Sequence, residues 1–182
     1  YIFESGDTGY VAGETHGLVC ALGDTPQDTS EGLGLGFYGA WVFNGNSTDL
    51  LHVPNVLWNG GNPVGPGARI GDGKPNTDAI IVAQGNDGNV TFAAGQARAY
   101  NGGEYTDWFL PSAKELNQIY INKTTLEGVN GFNGFNGNGF SNLYWSSSEY
   151  DSNNAWGQNF ANGSQNDNSK TNGYNVRAVR AF

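Results

Sequence analysis

Few side chains of the types that carry catalysis occur in this chain. A Ser-His-Asp arrangement could be assembled from His52, Asp49 and one of several serines, and His16 is the other histidine. No nucleophile-elbow motif is present to place such a serine. We therefore do not predict acyl-transfer chemistry.

Cys20 is the single cysteine of the chain. One cysteine excludes an intrachain disulfide and any zinc or iron site that is built from several thiolates. It lies in the apolar run GLVCAL, residues 17–22, where a thiol behaves as a small apolar side chain. We predict a short buried strand here, with an inert, buried thiol.

Three carboxylates in the middle of the chain, Glu104, Asp107 and Glu115, could supply the acid–base pair of a glycoside hydrolase. Glu115, however, follows Ser112 at the spacing of a capping box, in which the glutamate binds the backbone at the start of a helix. Glu104 and Asp107 therefore remain as the residues of an alternative function, a carbohydrate-active enzyme. Our preferred interpretation is that the chain is not an enzyme.

Two segments rich in Asp, Asn and Gly are the best candidates for a metal site. They are GDGKPNTD, residues 71–78, and GNDGN, residues 85–89. Calcium prefers several converging oxygen ligands, which such loops can supply. Neither segment has the EF-hand spacing with a glutamate at its twelfth position, so we interpret both as solvated turns. We predict no cofactor, with calcium as the single metal left open.

The charge balance limits the partners of the chain. Eight Lys and Arg face 17 Asp and Glu, which gives a formal net charge of −9 at pH 7. Coulomb repulsion therefore disfavours nucleic acid, anionic membrane surfaces and sulfated glycans as partners. The sequence shows no transmembrane run, signal peptide or lipidation motif, so we do not expect membrane insertion.

The composition predicts one folded domain, residues 1–182, with many turns. Glycine and asparagine, which favour turns over helices, are abundant. Five Trp, nine Tyr and ten Phe supply the apolar surface of a core and argue against disorder. Residues 23–75 are predicted to be mostly loop. We expect its aromatic residues to pack inward: Phe37, Trp41, Phe43 and Trp58.

The pattern of polar and apolar residues predicts two or three helices. Ser112 begins the best-specified helix, because its capping box precedes apolar residues at helical spacing. Thr77 is predicted to cap a second helix that runs through DAIIVAQ. The alanine-rich segment FAAGQARAY, residues 92–100, is the third candidate.

The last forty residues predict three strands. These are YWSSSEY (144–150), AWGQNFANG (155–163) and YNVRAVRAF (174–182), with SQNDNSKTNG as a hairpin connection between the last two. Alternation along the middle strand predicts that Trp156 and Phe160 point inward.

The same alternation predicts that Gln158 and Asn159 point partly outward. Arg177 and Arg180 are three residues apart, so a strand would place them on opposite faces. A buried arginine requires a carboxylate partner, for which Glu149 or Asp107 are the predicted candidates.

Several of these segments together resemble one bacterial family. GDTGYVAGETHGLVCAL, YTDWFLPSAKELNQIY, YWSSSEYDSNNAWGQNF and YNVRAVRAF resemble the C-terminal domain of the Legionella collagen-like adhesins (DUF1566). The resemblance implies an α+β, C-type-lectin-like fold with short antiparallel sheets, two or three helices and long ordered loops. The collagen-like relatives also imply a homotrimer, so a purely structural trimeric tip domain is a further alternative.

The asparagine-rich tail is similar to the variable proteins of diversity-generating retroelements. In those systems the adenines of a template are mutated on copying, and asparagine codons are rich in adenine. The resemblance implies that residues 144–182 form a variable region. In this region, the residues that are expected to stay unchanged are Trp156, Phe160, Val176, Val179 and Phe182.

We therefore predict a non-catalytic module that binds an unknown protein or glycan, outside the cell, on a cell surface or on a phage particle. Short polar side chains lose little rotamer entropy on binding, and asparagine both donates and accepts hydrogen bonds. Tyrosines add rigid apolar anchors. The predicted ligand-binding residues are Tyr150, Asp151, Asn153, Asn154, Gly157, Asn159, Ala161, Asn162, Ser164, Asn166, Asp167, Asn168, Ser169, Thr171, Asn172 and Tyr174.

Overall fold

The computed structural model of the chain describes residues 1–25, 39–41, 56–60, 62–84, 92–135 and 142–182. The helices in these residues are α1 Gly73–Ala83, α2 Ala93–Ala99, α3 Ala113–Ile121 and α4 Lys123–Glu127. The strands are β1 Leu18–Cys20, β2 Gly39–Ala40, β3 Leu57–Asn59, β4 Asn62–Val64, β5 Leu143–Glu149, β6 Asn154–Asn159, β7 Gln165–Ser169, β8 Gly173–Tyr174 and β9 Val179–Ala181. Helices mixed with small antiparallel sheets confirm the α+β class. The finer likeness to C-type lectins stays a prediction.

The largest sheet among the described residues has three antiparallel strands in the order β5-β6-β7. The predicted strands at 144–150 and 155–163 are confirmed as β5 and β6, although β6 ends at Asn159. The prediction that SQNDNSKTNG is only a hairpin connection is wrong, because Gln165–Ser169 pairs with β6 as an edge strand. Its five polar residues lack the apolar alternation by which strands are recognised in a sequence.

Helices cover both faces of this sheet. Trp145 of β5 packs in one apolar cluster with Ile80 of α1 and Ala97 of α2. The neighbouring Tyr144 packs in a second cluster, with Leu116 and other residues of α3. Successive residues of a strand point to opposite faces, so β5 is buried on both sides.

The capping box at the start of α3 is confirmed. The Glu115 backbone N–H donates to Ser112 Oγ at 3.3 Å, and the Ser112 N–H donates to Glu115 Oε2 at 2.7 Å. Leu116 and Ile119 are buried, and Tyr120 packs edge-on against Phe160 with ring centroids 5.6 Å apart. This helix is therefore specified locally, by its cap and its apolar spacing.

Helix α1 begins five residues earlier than predicted, with Asp72 as its N-cap and Gly73 as its first residue. Thr77 lies inside the helix, where its hydroxyl donates to Gly73 O at 2.8 Å and accepts from the Leu110 N–H at 3.0 Å. Pro75 is in the first turn, where a missing N–H costs nothing. The helix predicted at 92–100 is confirmed as α2.

The predicted strand at 174–182 is divided. Its start forms β8, which pairs with β2, and its end forms β9, which pairs with β1. The strand predicted in 17–22 is confirmed as β1, but it is not fully buried, since Val19 is 41% exposed and Cys20 is half-buried.

Arg177 lies in the break between β8 and β9 and is fully buried. Its Nε donates to Asp24 Oδ1 at 2.7 Å, and its guanidinium stands 4.5 Å from the Phe135 ring centroid. The prediction that a buried arginine pairs with a carboxylate is confirmed, but the partner is Asp24 and not Glu149 or Asp107. Arg180 instead pairs with Asp107.

The inward packing expected in 23–75 can be checked for one aromatic side chain. Trp41 is fully buried, and its Nε1 donates to the Ser146 carbonyl at 2.8 Å. The side chains of Phe37, Phe43 and Trp58 lie outside the described part of the chain.

Candidate binding surface

The β6–β7 hairpin rests on a fully buried aromatic layer. Trp156 and Phe160 both point inward, as predicted. Trp156 Nε1 donates to the Val56 carbonyl at 3.0 Å, and Tyr150 packs edge-on against its ring at 5.7 Å. Phe160 packs against Tyr144 with ring centroids 4.6 Å apart and the rings tilted by 49°. The polar side chains above this layer are therefore held on a rigid base.

The predicted ligand-binding residues do not form one face. They lie in the β5–β6 turn, in the β6–β7 turn at the other end of the hairpin, on β7 itself, and in residues 171–174. The five residues of β7 span about 17 Å, which separates the two turns. Because side chains alternate along β7, Asn166 shares a face with Gly157, whereas Asp167 shares the opposite face with Trp156.

Three of the predicted residues build turns. Asp151 Oδ1 accepts from the N–H groups of Asn153 at 2.8 Å and Asn154 at 2.7 Å. Although burial opposes the change, these hydrogen bonds hold the pKa of Asp151 below its usual value. Asn159 Oδ1 accepts from the Ala161 N–H at 2.8 Å.

In the second turn, Asn162 Oδ1 accepts from the Ser164 N–H at 3.0 Å and from Ser164 Oγ at 2.9 Å. Side chains that bind the nearby backbone in this way stabilise turns. Asp151, Asn159 and Asn162 are therefore structural, even where their side chains reach solvent.

Gly157 and Gln158 are also not display positions. Gly157 is buried, and a Cβ there would lie 3.1 Å from Tyr144 O and 3.2 Å from Asn168 Nδ2. The expected outward orientation of Gln158 is wrong, since its Nε2 is buried and donates to Asn117 Oδ1 at 2.8 Å. The neighbour Asn159 is half-buried, in agreement with the prediction.

Tyr174 ties the end of the tail to the sheet. Its ring packs on Trp145 with centroids 4.5 Å apart, and its hydroxyl donates to Asn168 Oδ1 at 3.1 Å. Asn172 Nδ2 donates to the same hydroxyl at 3.0 Å. Tyr174 is half-buried, so only part of its side chain is available to a ligand.

The exposed polar side chains that do not build a turn define what we call the hairpin surface, which includes both faces of the edge strand β7. The surface consists of Asn153, Asn166, Asp167, Thr171 and Asn172, with Asn168, Ser169 and Tyr174 as half-buried neighbours. Their contacts among themselves are local, such as the Ser169–Thr171 hydroxyl pair at 2.9 Å. Such side chains can exchange their hydrogen bonds for those of a ligand at little cost.

A buried ion pair beneath this surface was not predicted. Lys170 and Glu149 are both fully buried and bonded to each other, and Lys170 Nζ also donates to the Ser152 carbonyl at 3.1 Å. The Lys170 ammonium stands 4.9 Å from the Trp41 ring centroid. The pair joins the end of β7 to the β5–β6 turn and so positions the surface. A single lysine in a polar tail gave no signal of burial.

The carboxylates of the enzyme alternative are differently placed. Asp107 accepts two hydrogen bonds from Arg180, from Nε at 2.8 Å and from Nη2 at 2.9 Å. These bonds lower the pKa of Asp107 and fix it as an anion. Glu104 is exposed in a short 3-10 turn with φ 64°. Burial raises the pKa of Glu115 to about 7, and its carboxylate binds the backbone of Gly71 and Ser112.

The two acidic residues of the segment 71–78, Asp72 and Asp78, already bind groups of the protein. Asp72 accepts from the N–H groups of Gly67 and Arg69, and Asp78 pairs with Lys74 and Arg98. Among the residues that the structure describes, no group of three or more His, Cys, Asp and Glu could hold a metal ion. The segment 85–89, His52 and Asp49 lie outside those residues.

A protein-family model matches this chain. The model of the Lcl C-terminal domain, the C-terminal domain of the Legionella collagen-like protein, matches residues 74–180, more than half of the chain. The chain belongs to this family. The matched range contains α3 and the whole β5-β6-β7 sheet, whereas the GDTGYVAGETHGLVCAL motif lies before it.

The match confirms the resemblance that the motifs indicated, and it marks the chain as an adhesin-type Lcl C-terminal domain. No curated protein matches the chain. In the described parts of this domain, no helix is both long enough and apolar enough to cross a membrane.

Proposed function

We propose that this Lcl C-terminal domain is a non-catalytic recognition module, which binds a protein or glycan outside the cell through its hairpin surface. The observation that carries the proposal is the contrast between the exposed, short polar side chains of β7 and the fully buried aromatic layer beneath them. A surface of this kind offers many hydrogen bonds without moving its backbone, which limits the entropy lost on binding.

The absence of catalysis is part of the proposal. A glycosidase acid needs a pKa raised toward neutrality, and Arg180 lowers the pKa of Asp107. The pKa of Glu115 is raised, but its carboxyl group is buried and bonded to the backbone of Gly71 and Ser112. The family also supports a location at the cell surface, because its members are adhesin-type domains.

Binding can be tested on arrays of glycans and of surface proteins, followed by titration of the strongest hit. Asn166→Ala combined with Asp167→Ala should weaken binding about tenfold or more while the melting temperature stays within a few degrees of the wild type. Asn162→Ala is the matched control, since it removes a turn bond on the same hairpin. Equal affinity of the double variant and the wild type would exclude β7 as the binding surface.

We further propose that the hairpin surface is diversified, as in retroelement variable proteins. Sequencing the gene across sibling isolates should then find adenine-linked changes at codons for exposed residues such as Asn153, Asn166 and Asn172. Codons for Trp156, Phe160 and Gly157 should be invariant because these residues are buried. An invariant tail would exclude diversification but leave the binding proposal to the array.

A further inference from the structure

A cavity of about 220 Å³ lies between α3, α4 and the β1–β9 pair. None of its lining residues belongs to the hairpin surface, although one of them, Glu115, also caps α3. Its volume exceeds the roughly 150 Å³ of a cavity that is known to hold one benzene molecule. It is smaller than the pockets of about 300 Å³ or more that take drug-sized ligands.

The inner wall of the cavity is apolar. Its residues are Leu18, Cys20, Ile119, Leu126 and Val179. Burial raises the pKa of the Cys20 thiol to about 12, and the thiol donates to the Ala21 carbonyl at 3.4 Å. The thiol is therefore neutral at physiological pH and acts here as a further apolar group.

The other lining residues are polar: Tyr1, Glu115, Gln118, Asn122 and Thr125. Asn122 and Thr125 are exposed, whereas Tyr1 and Gln118 are half-buried. These side chains can bind a hydroxyl or carbonyl group of an entering molecule. An anion is disfavoured, because it would lose its hydration against the apolar wall and because the chain carries a net charge of −9.

We propose that this cavity binds a small uncharged molecule, with an apolar body about the size of one six-membered ring and one hydrogen-bonding group. The body would rest on the wall formed by Leu18, Ile119 and Val179. The polar group would reach the rim at Gln118, Asn122 or Thr125. The cavity is separate from the hairpin surface, so ligand binding in the cavity and ligand binding at the hairpin surface are independent proposals.

Methyl-detected NMR titration with p-cresol tests the proposal. Saturable shifts are expected for the methyl groups of Leu18, Ile119, Leu126 and Val179, with those of Ile80 and Val56 as distant controls. 4-Methylbenzoate has the same ring and a charged carboxylate in place of the hydroxyl. It should produce no saturable shifts at the same sites.

Two neighbouring residues of α4 provide a matched pair of variants. Thr125→Tyr places a ring at the mouth and should weaken p-cresol binding by about tenfold or more. Thr124→Tyr changes an equally exposed residue that does not line the cavity, so it should stay within about twofold of the wild type. Cys20→Leu, which fills the interior, should also abolish the shifts.

Three results would each overturn the proposal. They are the absence of saturable shifts with p-cresol, equal binding of 4-methylbenzoate, and equal affinities of the two tyrosine variants.

Discussion

β5 and β7 are the outer strands of the same three-stranded sheet, and both contain runs of small polar residues. In β5, the run Ser146–Glu149 is fully buried. In β7, the corresponding residues are half-buried or exposed. Composition alone therefore does not separate a structural polar strand from a surface one.

The difference follows from what packs against each strand. Helices cover both faces of β5, and Asn175 binds its free edge, where the Trp145 N–H donates to Asn175 O at 3.0 Å. Each serine of β5 then needs a defined partner, as when Ser148 Oγ donates to Gly67 O at 2.6 Å. On β7, Gln165 still donates to the Ala113 carbonyl at 2.7 Å, whereas Asn166 and Ser169 make local bonds that water can replace.

The largest effect is expected where the two strands are joined, at the Lys170–Glu149 pair. Lys170→Met should lower the free energy of unfolding by about 3–5 kcal/mol, because it leaves the Glu149 carboxylate buried without its cation. Chemical denaturation measures the loss. The double variant with Glu149→Leu should recover much of it. A loss below about 1 kcal/mol would mean that water reaches the pair.

Glu115 is a buried polar residue of helix α3, outside the sheet. It therefore tests whether burial alone makes a polar side chain structural, as it does for the serines of β5. Burial raises its pKa from 4.5 to about 7, so its contribution to stability is fully present below pH 4.5 and is lost as the pH rises through 7. Relative to Glu115→Gln, the wild type should lose about 3 kcal/mol between about pH 4 and pH 8. Denaturation curves that run parallel for the two proteins across this range would contradict the pKa shift.

A pair of serine substitutions compares the two strands directly. Ser148→Ala should cost about 1–3 kcal/mol, because it removes the bond to Gly67 and the acceptor of the Ala113 N–H. Ser169→Ala on β7 should change stability by no more than about 0.5 kcal/mol. Thermal denaturation of both variants is sufficient. Similar losses would mean that β7 is as structural as β5.

The smallest effects should separate turn residues from display residues within the hairpin. Asn162→Ala removes the acceptor of the Ser164 N–H and should cost about 1 kcal/mol. Asn166→Ala on β7 should cost about 0.5 kcal/mol or less. The measurement is urea denaturation at one protein concentration. The reverse order would exchange the roles given to these two asparagines.

Parts of the fold that depend on near neighbours in the sequence could be predicted. The capping box of α3, the alanine-rich α2, and the inward positions of Trp156 and Phe160 all follow from spacings of a few residues. The start of α1 was misplaced because two residue types, a threonine and a proline, have more than one favourable position near a helix start.

The candidate site could be predicted only in its location. The polar composition of 150–174 marked the segment, but it did not show that Gln165–Ser169 forms a strand. Nor did it show that Asp151 and Asn162 build turns, whereas Asn166 is free of that role. A strand that alternates polar with polar residues gives no sign of which face meets solvent.

The sequence by itself determined the α+β class, the capped helix, the aromatic core and the membership of the Lcl C-terminal domain family. These depend on local hydrogen bonds, side-chain periodicity and motif order, all of which are written along the chain. The tertiary structure alone decided that Lys170 is buried against Glu149, that Arg177 pairs with Asp24, and which asparagines reach solvent. Desolvation depends on neighbours brought from distant segments, and no local pattern encodes them.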